Sequence, residues 1–535
     1  MTHVKDILTA LNLSRLADTE HVASFHGSVH HFDVPYVVLV GTPSVEVIAH
    51  IAAANPQTGI GLIVPLKAGR EEEHRAAVSG VFSETAHKII DASEVVYLGP
   101  KVSSAAAFKV IEEAMWGTNT MIARETYMLA AKNGVDLNLL YGALANGAAG
   151  SQAFRDLWPH LLVGNTFKAD AQLATAHEAL EAGLELAGNE VFYAPLMGLA
   201  KQEAVTPMGN VRPAVESNIK LEDITSVEPS KVGFVGLGAM GRPMSLVLHN
   251  AGLNVIGYDV WDGAREAYGK AGGKVAETVL DCAEGSDVFL LIVVNAAQVE
   301  DILFAQGALT ALAQDATVLV MATVPSSEIR RLSERIARIR SDVSLVDCPV
   351  SGATPRAATG DLMVFCGGLD ESLSKGKAYR VLRLLSSSQG NEHYLVRVPG
   401  GVGRGSAVKL SNQHLAGTHI SCVAEIQALV AKLGMRGRDA HHLLMTGPGW
   451  CWVLGHRGVS MLNGLIQPPT SAVTIFVKDM GIVVAEAGVL RERCPLAALV
   501  QQQYVFAKSL GWGNDDDSGL VRVWKFAEID VAIVE

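Results

Sequence analysis

Cysteine is scarce and one-sided in this chain. Six fall in 535 residues, at 282, 348, 366, 422, 451 and 494, with none in the first half and no Cys-x-x-Cys pair. That pattern is poor for a disulfide framework or a zinc knuckle, and reduced, mostly buried thiols are expected. His21, His26, His30 and His31 lie close together, but no ordered carboxylate or cysteine set accompanies them, so no metal site is expected. Positive charge is also short. The net charge is -12, and the residues before 226 carry most of it, with 15 Lys/Arg against 25 Asp/Glu. Such a balance argues against a nucleic-acid partner. Long apolar runs are missing too: the longest strongly apolar stretch, Val288 to Val294, is far too short to span a membrane. The start, Met1-Thr-His-Val-Lys-Asp, shows no apolar signal segment. A cytoplasmic protein with no membrane partner is expected.

What the chain does have is apolar content of 49% and 52 glycines, which fit a well-buried protein of two to four domains with tight turns. Lys231-Val-Gly-Phe-Val-Gly236 reads as a buried strand. It breaks into Gly236-Leu237-Gly238-Ala239-Met240-Gly241 and resumes as a helix through His249, and Asn254 to Asp259 reads as the next strand. Glycines after a strand let the backbone approach a pyrophosphate, and the helix start offers free N–H groups to it. Asp259, ending the second strand, can accept from an adenosine ribose 2′-hydroxyl and would repel a 2′-phosphate. With no Arg directly after it, NAD is favoured over NADP.

Further strands are expected at Val288–Val294, Ala316–Thr323 and Val343–Asp347, with Pro325 opening a helix. Loops at the carboxyl ends of such strands line a ligand crevice, which places Val294, Asn295, Thr323 and Ser351 at candidate positions. Ser351 and the amides of Gly352 and Ala353 could hold a carboxylate without using a charged side chain. From Ser406 to Leu433 the pattern becomes one long helix. Lys409 and Gln413 share a face at i, i+4, with Asn412 beside them. A cleft-facing lysine next to two amides can orient a hydroxyl and a carboxylate together. Later, Phe476-Val-Lys478-Asp479-Met opens another helix, Pro495-Leu496 starts a further one, and Asn514-Asp-Asp-Asp517 reads as a polar loop.

Together the motifs Gly236–Gly241, Asp347-Cys-Pro-Val-Ser-Gly352, Gly403-Arg-Gly-Ser-Ala-Val-Lys409 and Lys478-Asp479 resemble the β-hydroxyacid dehydrogenase family over about 230–525. The resemblance implies an α/β Rossmann-like domain followed by an all-helical, 6-phosphogluconate dehydrogenase-like domain. It implies Lys409 as the catalytic lysine, Ser351 and Gly352 in the substrate-carboxylate loop, and Thr323 at the cofactor. Lys478 is the implied second lysine beside nicotinamide and substrate. Gln413, where many members have Asn, looks more like the L-threonate dehydrogenase branch. The implied activity is NAD-dependent oxidation of a small carboxylate substrate, a four-carbon sugar acid such as L-threonate. The alternatives are an NADPH-dependent semialdehyde or oxo-acid reductase and a non-catalytic dinucleotide-binding sensor or scaffold.

The first half reads as an eroded copy. At an offset of 300 residues, Lys109, Gly117, Glu125, Lys132, Gly134 and Pro195-Leu196 match Lys409, Gly417, Glu425, Lys432, Gly434 and Pro495-Leu496. Strands are expected at Tyr36–Gly41 and Ile60–Pro65, but no GxGxxG precedes them. Glu112 and Glu113 stand where the intact copy has Asn412 and Gln413, and they would repel a carboxylate and attract Lys109. The expected organisation is 1–100 truncated Rossmann-like, 101–215 degenerate helical, 216–230 linker, 231–398 Rossmann and 399–535 helical. Family members commonly dimerise through their helical domains, so a homodimer or an internal pseudo-dimer is expected.

Overall fold

The computed structural model describes residues 36–40, 59–63, 104–145, 147, 149–164, 166–189, 192–205, 224–372, 375–386 and 394–527. The histidines near the start and most of residues 1–100, expected as a truncated Rossmann-like domain, lie outside them. Within that region β1 (Tyr36–Val40) and β2 (Gly59–Ile63) pair in parallel. None of the described helices is long and apolar enough to cross a membrane.

The central sheet holds β3 (Val232–Val235), β4 (Val255–Tyr258), β5 (Lys274–Val275), β6 (Val288–Leu291), β7 (Thr317–Val320), β8 (Ser344–Asp347), β9 (Val350–Ser351), β10 (Met363–Gly367) and β11 (Leu395–Val398). Its order is β11-β10-β8-β7-β6-β3-β4-β5, with β9 on β10. The pairs from β5 through β8 are all parallel, and β10 runs antiparallel to β8. Chain order reverses between β3 and β6, and a crevice at such a reversal is where open α/β sheets bind ligands. Along β6, Val288 and Leu290 join one core while Phe289 and Leu291 join the other. Alternate residues are therefore buried on opposite faces, which is why the strand reads as continuously apolar.

Two helical modules follow one plan. The long helices span Ser104–Lys132 and Arg404–Lys432, and later helices begin at Pro195 and Pro495. The modules pack on each other with approximate two-fold reciprocity. Gln152 N donates to the Trp450 carbonyl (2.9 Å), and Trp452 N donates to the Gly150 carbonyl (2.8 Å). Ser151 and Cys451 form the antiparallel bridge between them. The Glu125 carboxylate accepts from Leu496 N and Ala497 N (3.0 and 2.9 Å), and Glu425 accepts from Leu196 N and Met197 N (3.0 and 2.9 Å). Contacts of the form i to j and j to i define an isologous interface, here closed within one chain. The long helix Arg404–Lys432 is buried over nearly its whole circumference as a result. All six cysteines are free and buried.

The polar stretch 514–517 turns and leads into a 3-10 helix from Asp517, and Asp516 and Asp517 are buried in it. Asp516 Oδ2 accepts from Thr470 N at 2.7 Å, and Asp517 takes Arg457 Nε at 2.5 Å. A buried charge is tolerated when it is paired and hydrogen-bonded.

Candidate functional site

The dinucleotide turn is built by three glycines with three different tasks. Gly236 sits at φ +102°, a conformation that disfavours any side chain. A Cβ at Gly241 would run into the Gly236 carbonyl, whereas one at Gly238 would meet open space. The helix Gly241–Asn250 starts at Met240 with no side-chain cap. Its first N–H groups therefore face the crevice with no side-chain acceptor, as a pyrophosphate requires. Asp259 Oδ2 accepts from Leu237 N (2.7 Å) and Oδ1 from Trp261 N (2.9 Å). This carboxylate thus clamps the glycine turn, a task the sequence did not reveal, and keeps lone pairs for a ribose hydroxyl.

Across the crevice, Asn295 caps the next helix through Gln298 N (3.0 Å). The exposed Val294 gives its N–H to Gln298 Oε1 (2.7 Å). Thr323 follows β7, and its carbonyl accepts from Lys478 Nζ at 3.4 Å. Ser351 ends β9, and its side chain makes no hydrogen bond among the described residues. Gly352 (φ +144°) and Ala353 (φ +56°) then turn into a short helix. Positive φ at a non-glycine residue is uncommon and costs on the order of 1–3 kcal/mol, which marks this loop as a constrained one.

The long helix is brought to this crevice by Asp347. From the end of β8 its carboxylate accepts from Ser406 N and Ser406 Oγ, both at 2.7 Å, inside the first turn. Burial pushes the Asp347 carboxyl up to about 6 against the pull of those two bonds. Gly403 is left-handed (φ +91°), and a Cβ at Gly405 would lie 2.5 Å from the Asp347 carbonyl oxygen. Only glycine lets the helix approach the sheet this closely.

One turn later stands Lys409, 6% exposed. Its Nζ donates to Gln413 Oε1 (2.8 Å), Asn412 Nδ2 donates to the same oxygen (3.0 Å), and Gln413 Nε2 donates to Asp479 Oδ2 (2.5 Å). Asp479 Oδ1 lies 2.7 Å from the Lys478 ammonium. Hydrogen bonds join Lys409 to Gln413 and Gln413 to Asp479, an ion pair brings Asp479 to Lys478, and Lys478 reaches the Thr323 carbonyl at the dinucleotide crevice. Burial pulls the Lys409 amine down to about 8. Asp479 opposes that shift and Lys478 adds to it. Sequence reasoning had placed Lys409, Asn412, Gln413 and Lys478 here but had given Asp479 no task.

Glu125, His414 and Cys494 also converge, with ligand-type atoms within 4.8 Å of one another. His414 Nε2 is 2.7 Å and Cys494 Sγ 3.2 Å from Glu125 Oε1, and His414 Nδ1 is 2.7 Å from Thr126 Oγ1. Two backbone N–H groups and the Cys494 thiol donate to the carboxylate and His414 spans Glu125 and Thr126, so the group is a hydrogen-bonded knot between the modules.

Residues 231–388 match a family profile described as the NAD binding domain of 6-phosphogluconate dehydrogenase. A second profile, the NAD-binding domain of NADP-dependent 3-hydroxyisobutyrate dehydrogenase, matches 103–208 and again 403–524. An L-threonate dehydrogenase from Cupriavidus necator is 33% identical over 56% of this chain and 97% of its own length. The chain belongs to the β-hydroxyacid dehydrogenase family. Another L-threonate dehydrogenase, from Escherichia coli K12, is 33% identical over 55% of this chain and 94% of its own. A 2-hydroxy-3-oxopropionate reductase from the same strain is 27% identical over 55% and 96%. This family's helical module thus occurs twice here, and its dinucleotide-binding profile covers 231–388. The chain is a hydroxyacid dehydrogenase with an NAD(P)-binding domain.

Proposed function

We propose that this protein oxidises the hydroxyl of a four-carbon sugar acid such as L-threonate, using NAD. The observation that carries the reading is the buried, hydrogen-bonded Lys409 amine, pulled down to about 8 and linked to Lys478 and Thr323. The bound nicotinamide supplies the hydride acceptor. Lys409 in its neutral form takes the hydroxyl proton, and in the reverse direction its ammonium returns it. Lys478 and the Ser351–Ala353 loop offer a charge and backbone amides to the carboxylate. Gln413 and Asn412 add amide groups suited to further hydroxyls, and the likeness to named L-threonate dehydrogenases points the same way.

NAD is supported by Asp259, whose carboxylate faces the crevice end of β4. Arg265, the nearby cation, is engaged by Asp262 Oδ1 and the Asp259 carbonyl, both at 2.5 Å. That same arginine favours a second reading, NADPH-dependent reduction of a semialdehyde acid, should it turn toward a 2′-phosphate.

A panel of three- to six-carbon hydroxyacids, assayed with NAD and with NADP by the absorbance of reduced cofactor, tests both. The oxidation kcat/KM should rise with pH through about 8, because the base is the neutral amine, and reduction should fall through the same range. Lys409→Ala should lose on the order of 10²- to 10⁴-fold in kcat. Wild-type turnover in that variant would defeat the assignment.

A further inference from the structure

Three contacts converge on one primary amide. Gln413 Oε1 receives Lys409 Nζ and Asn412 Nδ2, while Gln413 Nε2 gives a hydrogen to Asp479 Oδ2. All four side chains are buried. A glutamine amide fits its slot either way round, and the network decides which. Turned over, Gln413 would set N–H groups against two donors, Asn412 and Lys409, and an oxygen against a carboxylate. Asn412 and Lys409 favour the observed orientation, but Lys409 loses its preference once neutral, because a neutral amine can also accept. Asp479, an acceptor in every ionised state, is the partner that holds the amide throughout.

For a lysine that works as a base the difference is chemical. A neutral amine has two N–H groups and one lone pair. Facing Gln413 Oε1, it gives one N–H to the amide and keeps the lone pair for the cleft. Facing Nε2, the amide N–H would occupy that lone pair. We propose that Asp479 is a positioning residue of the reaction: it locks the Gln413 amide so that Lys409 keeps its lone pair free for the substrate hydroxyl proton.

This deepens the reading above and rests on Lys409 as the base. In oxidation the hydroxyl proton passes to Lys409 Nζ and the carbon-bound hydrogen leaves as hydride to the nicotinamide, so the substrate gains a carbonyl. The resulting ammonium still donates to Gln413 Oε1. The amide need not turn during the transfer, and the surrounding dipoles stay preorganised.

Two variants test it. Asp479→Asn keeps the shape but can donate as well as accept, so Gln413 is released to turn over. Gln413→Met removes the amide that Asp479 holds and places no carboxylate beside Lys409. For Asp479→Asn, kcat of oxidation should fall ~10- to 100-fold, the scale of a misplaced reacting group, with KM changing much less. The ¹³Cε titration of Lys409 in cofactor-free protein should move to lower pH, since Asp479 holds that titration up. In the Gln413→Met background Asp479→Asn should change kcat by less than ~3-fold, because no amide is left to turn over. Wild-type kcat and titration in Asp479→Asn overturn the proposal. So does an Asp479→Asn penalty as large in the Gln413→Met background as in the wild type, with all four proteins compared per folded molecule by circular dichroism. Lys409→Ala keeps the two ideas apart. If that variant turns over normally, the base assignment fails whatever Asp479 does.

Discussion

Lysine stands at position 109 and again at 409, on the same turn of two helices with one plan, and the two amines have opposite surroundings. Lys409 is buried among amides, and desolvation holds it low. Lys109 is half exposed, 2.8 Å from Glu112 and 3.5 Å from Glu113. Its partial burial pulls its titration down, but the two carboxylates outweigh that and hold it above the ordinary lysine value. A permanently charged, ion-paired amine cannot take a proton, so Lys109→Ala should leave hydroxyacid turnover unchanged. Steady-state kinetics on that variant check the point, and a loss comparable to that of Lys409→Ala would show a second working site. The contrast was legible in the sequence, because Glu-Glu in place of Asn-Gln states the charge directly. The role of Asp479 was not, since it depends on a second helix placing a carboxylate against the far end of Gln413.

At the scale of elements, the glycine-rich approach to the long helix is the device that puts Lys409 in the cleft. Gly405 lies against the carbonyls of Asp347 and Phe365, with no room for a methyl group. Gly405→Ala should push the helix off the sheet, at a cost of about 1–3 kcal/mol typical of overpacking. NADH binding at the remote glycine turn should be retained while turnover falls. Thermal unfolding, a fluorescence titration with NADH and an activity assay separate these effects, and unchanged turnover would show that the close approach has no bearing on the site. The strands and the long helix could be read from periodicity because a doubly covered sheet and a fully buried helix leave strong apolar patterns. The limits of β6 could not. The apolar run continues to Val294, but the chain leaves the sheet after Leu291, where the Ile292 carbonyl packs against Gly236, and its end lines the crevice. The burial of Asp516 and Asp517 was not legible for a related reason: Arg457, some sixty residues earlier, supplies the counter-charge that allows it.

At the scale of the whole molecule, the helical module of 104–204 packs against that of 404–524. The two crossed carboxylates, Glu125 and Glu425, are not equivalent in load. Glu425 serves two backbone N–H groups, with Ala114 and Ala194 at the positions that correspond to His414 and Cys494. Glu125 serves two backbone N–H groups and also His414 and Cys494. Stranding a buried donor costs on the order of 1–3 kcal/mol, so Glu125→Ala should destabilise the chain more than Glu425→Ala. Each carboxylate belongs to one module and caps a helix of the other, so either loss should weaken both modules together. Denaturant unfolding of the full chain, read by pulsed hydrogen exchange and mass spectrometry of peptides from 104–204 and from 404–524, measures this and follows each module apart. The two signals should keep a common midpoint, and that midpoint should fall further for Glu125→Ala than for Glu425→Ala. Separate midpoints in the parent chain would mean that the modules are only neighbours. The retained helices of the first half would then owe their place to something other than closing this interface.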